Sequence, residues 1–581
     1  MPGVLLSLRQ QQGADNAPAK KITREMIDQA AAIADVPIAD EYKDMMVEDL
    51  NDQAKSYEAI YKLHIPNNVP PAVQFNPELP GMKFAPAPSS APVALRATGA
   101  ALPRDPVDLA FSTVAQQSEW LRTKKVSSSA LVEAYIERIN RLDPILHFVI
   151  TPLFDRARAQ AKEADRDIAA GKYRGPLHGV AWGAKDLLAV KGYPTTWGAH
   201  GFEQQKFDDD ATVVKKLDAA GAVLLAKTSL GALAMGDYWF GVSQKGERTR
   251  NPWRIEQGSS GSSAGSASGT SAGCFAFAIG SETLGSISSP STRVGVTGLR
   301  PTFGRVARTG AMALSWSMDK LGPICRSAED CALVLSAIHG ADGQDPTARS
   351  YAFHWPPRPL QSIRVGYLNK DFEEAPKFDS TTKPEDRERV MAGWKMMKQF
   401  NDAALEVLRT KVGIEMMPVA LPDLPAGDML TVLGAESAAA FDELTRSGRD
   451  KLLNAQDKGD WPNQFRTARL IPAVEYVQAN RARTLLMQKM TELFKTVDVI
   501  VAPTDSDQLV VTNLTGHPAV IVPNGFRPAN APVPEKPTRA GGPGTPVSLT
   551  FVGNLYGESD LLAVAKAYQD ATGFHQKHPR L

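Results

Sequence analysis

The chain has 581 residues, 43% hydrophobic and 22% charged, and 65 Lys and Arg against 64 Asp and Glu leave a formal net charge of +1. That balance, without a block of like charges, argues against a nucleic-acid partner and against a polybasic membrane anchor. No apolar run reaches the roughly 18 residues a membrane span needs, and Cys274, Cys325, Cys331 and the nine histidines lack the spacing of a disulfide framework or a metal site.

In chain order, Met1–Leu8 is briefly apolar without a basic flank, which leaves a trimmed export segment, and with it the compartment, an open question. From Lys20 to Leu63 apolar residues recur at helical spacing (Ile22, Met26, Ile27, Ala30, Ile33, then Met45, Met46, Leu50, Ala54, Tyr57, Tyr61). Two helices joined near Pro37 and packed on the main body are expected. Ile65–Pro106 is rich in Pro and Ala, including Pro66, Pro70, Pro88 and Pro92, and reads as a tether.

From Asp108 onward helix-period and strand-like stretches alternate, the pattern of an α/β domain with helices over a central sheet. Ser127–Ser129 precede a helix with the apolar face Leu131, Val132, Tyr135, Ile136, Ile139, as an N-cap should. Phe148–Thr151, Gly179–Trp182, Ala222–Ala226, Val499–Ala502 and Ala519–Val522 read as strands, Phe154–Ala170 and Thr212–Ala220 as helices. The charged stretch Ala375–Gln399 and the Pro/Gly-rich Arg527–Pro546 read as surface excursions. The expected division is an N-terminal helical extension over 1–64, a Pro-rich tether over 65–106, and one α/β domain over 107–577 with insertions at about 355–430 and 527–546.

The chemistry concentrates in Gly258–Gly273, which contains only Gly, Ser, Ala and Thr, and in GSETLGSIS from Gly280. A Gly/Ser run alone reads as a linker, but this one runs into the apolar segment Cys274–Ile279, read as a buried strand. A serine hydroxyl needs an adjacent base, and no histidine lies in these segments; His178 and His200 read as packing residues. A buried, neutral lysine can serve instead. Lys185 stands between the apolar runs Gly179–Trp182 and Leu187–Val190, a context open to both a base and a strand-end lysine reaching water.

These residues carry a resemblance. GPLHGVAWGAKDLLAVKGYPTTWGA (Gly175–Ala199), TRNPW (Thr249–Trp253), GSSAGS (Gly261–Ser266), GSETLGSIS (Gly280–Ser288), VTGLRPTFGRV (Val296–Val306), TGHPAVIVPNGF (Thr515–Phe526) and GESDLLAVAKAYQDATGFH (Gly557–His575) occur in the order of the amidase signature family. The resemblance implies a central mixed, twisted sheet flanked by helices, with the N-terminal arm outside it. It implies a seryl acyl-enzyme with a Ser–cisSer–Lys triad: nucleophile Ser286, bridging Ser262 after a cis peptide, and base Lys185. It places oxyanion donors on the backbone of Thr283, Leu284 and Gly285, joined by Ser286, and acyl-pocket residues at Met235 and Gly236. Asp186, Thr228 and Ser229 are expected to support the site, and Trp182, Tyr238, Trp239 and Trp316 to line an aromatic pocket or to pack in the core.

The implied reaction hydrolyses a carboxamide, or an aryl-amide, carbamate or ester, without metal or organic cofactor. The partner is then a small amide, with no nucleic acid and no membrane; a homodimer is left open. Leu284 and Ser288 depart from the family pattern, which has glycine and arginine there, and the missing arginine argues against an acidic substrate or glutamine. Three alternatives stand beside this reading: a component like the A subunit of a glutamine amidotransferase, an inactive binding protein of the same fold, and an α/β-hydrolase elbow at Ser263 or Ser271. The elbow is disfavoured because a polar loop, not a strand, is expected before Gly261.

Overall fold

The computed structural model describes residues 22–581 apart from 35, 37, 87–97, 242–245, 379–381, 537 and the side chains of 55–59 and 61. Met1–Leu8, Pro37, Pro88, Pro92 and the side chains of Tyr57 and Tyr61 therefore lie outside the described residues.

An 11-stranded mixed sheet forms the centre. Its strands are β1 (Val149–Pro152), β2 (Ala181–Lys185), β3 (Val223–Thr228), β4 (Phe277–Glu282), β5 (Thr297–Arg300), β6 (Lys320–Cys325), β7 (Val365–Leu368), β8 (Met416–Val419), β9 (Val499–Pro503), β10 (Ala519–Phe526) and β11 (Pro546–Gly553). The spatial order is β1-β3-β2-β4-β6-β5-β10-β11-β9-β7-β8. β2 runs parallel to β3 and β4, β7 runs parallel to β8 and β9, and the pairs from β4 through β9 are antiparallel. β2, β3, β4, β6 and β11 are buried at every residue. Helices cover a sheet of this kind, so both faces need apolar side chains, and its strands read as continuous apolar runs.

Ser127 caps the helix Ser128–Leu146 by accepting from the Ala130 N–H, as its sequence predicts. Three boundaries differ. The strand expected over Cys274–Ile279 forms over Phe277–Glu282, because Gly273 and Cys274 close the preceding helix with a left-handed glycine and a bond from Cys274 N to Gly269 O. The charged helix runs over Pro384–Thr410, with Pro384 in its first turn where a missing N–H costs nothing. The Gly/Ser run is itself structured: Ala264–Ser271 is an eight-residue helix buried at every position.

Before the sheet, the helices Arg24–Ala34 and Asp40–Tyr61 lie against each other through Arg24–Asp44 and Asn51–Ile22 contacts. Ile27 is buried, while Met26, Ile33 and Met45 are exposed. The Pro-rich stretch is held on the body: Asn67 Nδ2 donates to the carbonyls of Ala313 and Ala440, and Phe75 packs edge-on against Phe303.

Candidate active site

Lys185 ends β2 with its side chain fully buried. Its Nζ lies 2.7 Å from Ser262 Oγ, 2.9 Å from Ser281 Oγ and 3.0 Å from Ser263 Oγ. Burial drives its pKa well below the ordinary lysine value, and the charges of Asp319 and Glu282 oppose this only in part. A neutral amine donates two hydrogen bonds and accepts one. Ser263 Oγ already donates to Ser281 O at 3.1 Å, so it receives an N–H from the lysine. The hydroxyl protons of Ser262 and Ser281 have no other acceptor among the described residues, which leaves one of them to fill the lone pair.

The elements that bring these groups together are adjacent in the sheet. Ser262 and Ser263 lead into the buried helix Ala264–Ser271, whose N-terminal partial positive charge further disfavours an ammonium. Ser281 sits near the end of β4, beside β2. The Gly261–Ser262 peptide is cis, and a Cβ on Gly261 would lie 1.8 Å from the Gly236 carbonyl oxygen, so that position admits only glycine. This contact sets Gly236 against Gly261, the residue before the bridging serine.

Ser286 occupies the turn between β4 and the helix Ser288–Val294 and is 8% exposed. Its Oγ makes no hydrogen bond among the described residues, whereas its carbonyl accepts from Ser263 N at 3.0 Å. Gly285 takes a φ of +87°, a conformation glycine adopts without steric cost. The N–H groups of Thr283, Leu284, Gly285 and Ser286 make no backbone hydrogen bond among the described residues. Such a cluster of uncommitted donors can receive an oxyanion.

Two buried carboxylates shape that turn, and nothing in the sequence marks either beyond its position beside apolar strands. Glu282 Oε2 accepts from Ile287 N (2.9 Å), Ser288 N (2.8 Å) and Ser288 Oγ (2.8 Å). Its Oε1 accepts from Arg300 Nη1 and Asn513 Nδ2, each at 2.9 Å. Burial pushes this carboxyl up, but the Arg300 charge and the donated bonds overcome it and hold it down to about 2. Asp319 accepts from Thr283 Oγ1 at 2.6 Å and from Leu314 N and Ser315 N. Ser281 is the other group that sequence reasoning missed.

Ser288 thus turns into the Glu282 pocket, and Arg300 supplies the guanidinium there. Asp186 pairs with Lys227 at 2.6 Å in full burial and accepts from Thr196; Thr228 bonds Ser266, and Ser229 bonds Thr249. These contacts are structural ones. Of the four aromatic residues, Trp316 borders a cavity and the other three pack against neighbouring side chains. Trp316 lines a cavity of ≈ 260 Å³ together with Ser281, Thr283, Ala234, Met312 and Leu314. Trp182 is stacked on Phe277 in the core, Trp239 packs on Phe240, and Tyr238 lies under Arg248. Neither Met235 nor Gly236 lines this cavity, which takes Ala234 from their segment. Ser263 and Ser271 have no histidine partner; Ser271 Oγ donates to Val294 O, so the elbow reading fails.

The Amidase family profile matches residues 130–562. The chain is 33% identical to the A subunit of the glutamyl-tRNA(Gln) amidotransferase of Roseiflexus castenholzii, over 81% of this chain and 97% of that one. It is 30% identical to the protein of the same description from Thermosynechococcus vestitus, over 81% and 100%. Among solved structures it is similar to the native peptide amidase of Stenotrophomonas maltophilia, with a TM-score of 0.64 and 27% identity over 81% of this chain and 98% of that one.

Proposed function

This chain belongs to the amidase family, an enzyme family acting on C–N amide bonds, and we propose that it is a stand-alone hydrolase of uncharged carboxamides working through a Ser286 acyl-enzyme. The observation that carries the reading is the buried Lys185 amine, 2.7 Å from Ser262 Oγ with no carboxylate bonded to it among the described residues. In this reading neutral Lys185 takes the Ser262 hydroxyl proton as Ser262 takes that of Ser286. Ser286 Oγ bonds to the amide carbon, and the carbonyl π pair moves onto oxygen, where the N–H groups of Thr283 to Ser286 receive it. One such donor contributes about 3 kcal/mol to lowering a barrier of this type. The proton returns through Ser262 to the amine as the C–N bond breaks; water then enters by the same relay and releases the acid.

A second reading, a component of a multi-chain amidotransferase, is favoured by the likeness to the two amidotransferase relatives. Two features support the stand-alone assignment over it. The N-terminal helices and the Pro-rich segment precede residue 130, where the family match begins. Position 288 is a serine bonded to Glu282, so no cation faces a charged substrate there.

The test is labelling with a fluorophosphonate followed by mass spectrometry, with a panel of aliphatic, aryl and peptide amides and glutamine. A single adduct on Ser286, absent in Ser286→Ala, and turnover of neutral amides are expected. Adduct elsewhere, or glutamine as the sole substrate together with copurifying partner chains, overturns the reading.

A further inference from the structure

The ≈ 260 Å³ cavity beside the serines has an apolar wall of Leu187, Met312, Leu314 and Leu321. A second cavity of ≈ 450 Å³ shares Pro70, Arg308, Trp316, Asp345 and Pro346 with it as lining. Five shared residues place the two cavities side by side, as the chambers of one channel would lie. The family region does not build this channel alone. Asn68 and Pro70 line the inner chamber, and Pro70, Val73, Gln74, Phe75 and Leu79 line the outer one. All precede residue 130, where the family match begins.

The segment is clamped at both ends by residues outside the lining. Asn67 Nδ2 donates to Ala313 O at 2.8 Å, and Ala313 N donates back to Asn67 Oδ1 at 2.8 Å. Ala313 itself lines the inner chamber. At the other end Glu78 accepts from Tyr351 OH at 2.8 Å and from Tyr556 OH at 3.2 Å. Between the clamps Phe75 lies 3.6 Å beneath the Arg483 guanidinium.

Trp316 stands where the chambers meet, with its indole N–H buried and unpartnered among the described residues. The charged groups in the lining are engaged within the protein: Arg308 donates to Asp345, Trp316 O and Thr347, Arg483 to Leu514 O and Ser317, and Arg481 to Gln478, while Glu436 accepts from Ser315, Ser317 and Tyr476. The inner chamber is mainly apolar, and the outer one sets the polar groups Gln74, Asn76, Tyr476 and Asn480 among its apolar walls.

We propose that residues 68–79 form the specificity wall of a two-chamber substrate channel, selecting long, uncharged amides whose chain passes Trp316. This rests on the assignment of Ser286 made above. The test measures kcat and KM of the full chain on two series: straight-chain carboxamides from acetamide upward, and N-acetyl peptide amides of one to four residues. In at least one series kcat/KM is expected to climb about tenfold or more with length.

Asn67→Ala should erase most of that climb through KM and leave kcat on the shortest amide within about twofold. Glu78→Ala gives a second variant with the same expected split if the first does not fold. A flat length profile in both series, or clamp variants that depress short and long amides alike, overturns the proposal. Fluorophosphonate labelling separates the two failures: labelled Ser286 with a flat profile sinks only the channel, and unlabelled Ser286 sinks the reading beneath it.

Discussion

Three lysines of the central sheet, 185, 227 and 320, are buried, and their surroundings decide what each can do. Lys227 is paired with Asp186. Lys320 is buried with an unpartnered Nζ and no hydroxyl on it among the described residues. Lys185 alone of the three meets serine hydroxyls. Removing its amine while keeping bulk, by Lys185→Met, should lower kcat about a thousandfold, the scale of a lost general base. Stability offers an independent check. Because burial lowers the Lys185 pKa, the unfolded chain binds more protons than the folded one between that lowered value and about 10.4. Wild-type stability therefore gains up to about 1.4 kcal/mol per pH unit from this group as pH rises through that window. Lys185→Met lacks this term, so the melting temperature of wild type minus variant should widen between pH 7 and 9.5. A constant difference would mean that the amine stays charged where it lies.

At the scale of elements, strands such as β2, β3 and β10 were legible because burial on both faces writes continuous apolar runs, and the helix Ser128–Leu146 because its cap Ser127 is a local signal. By contrast, β5, β6, β7, β8 and β11 went unread. The helix Ala264–Ser271 was not legible either. Gly, Ser and Thr are weak helix formers, and what selects them is distance to neighbours far along the chain. A Cβ on Gly265 would lie 2.4 Å from Phe148 O and 2.5 Å from Ser229 N, and one on Gly269 2.2 Å from the Phe275 ring. Ser281, Glu282 and Asp319 were illegible for the same reason: their roles depend on contacts between strands. Trp316 was legible only as one of four aromatic candidates, since sequence does not tell a cavity wall from core.

These packing distances make opposite predictions for one substitution. Gly265→Ala should cost about 1–3 kcal/mol by overpacking against backbone that cannot retreat. Gly393→Ala, in the helix Pro384–Thr410 with nothing within 4 Å of the added carbon, should stabilise by about 0.5–1 kcal/mol from propensity. Chemical denaturation of both variants checks the pair, and equal signs would show that local propensity, not close approach, governs the buried helix.

Across the whole molecule, one ionic junction connects the reactive turn to distant parts of the sheet. Glu282 leaves β4, Arg300 ends β5, and Arg300 also donates to Thr512 Oγ1 at 2.6 Å and His517 O at 3.1 Å. Asn513, from the helix Gln508–Thr515, completes the set. Both charged side chains are fully buried, so the pair itself adds little net stability, but leaving either partner alone is expensive. Glu282→Gln should destabilise by roughly 3 kcal/mol, because Arg300 then lies in the interior without a counter-charge. The acid response supplies the sign. A carboxyl held at about 2 in the folded chain and near 4.3 in the unfolded one contributes stability that is present above about pH 4.3 and fades as pH falls toward the folded value. The variant should therefore show a shallower loss of melting temperature between pH 4.5 and 2.5 than wild type does. The turn should loosen as well: with Ile287 and Ser288 no longer held by a carboxylate, kcat should fall while fluorophosphonate still finds Ser286. Replacing the pair together, Glu282→Gln with Arg300→Met, removes the stranded charge and should recover part of the stability but none of the turnover. Recovery of both would mean that the junction serves the fold alone and that the turn keeps its shape without it.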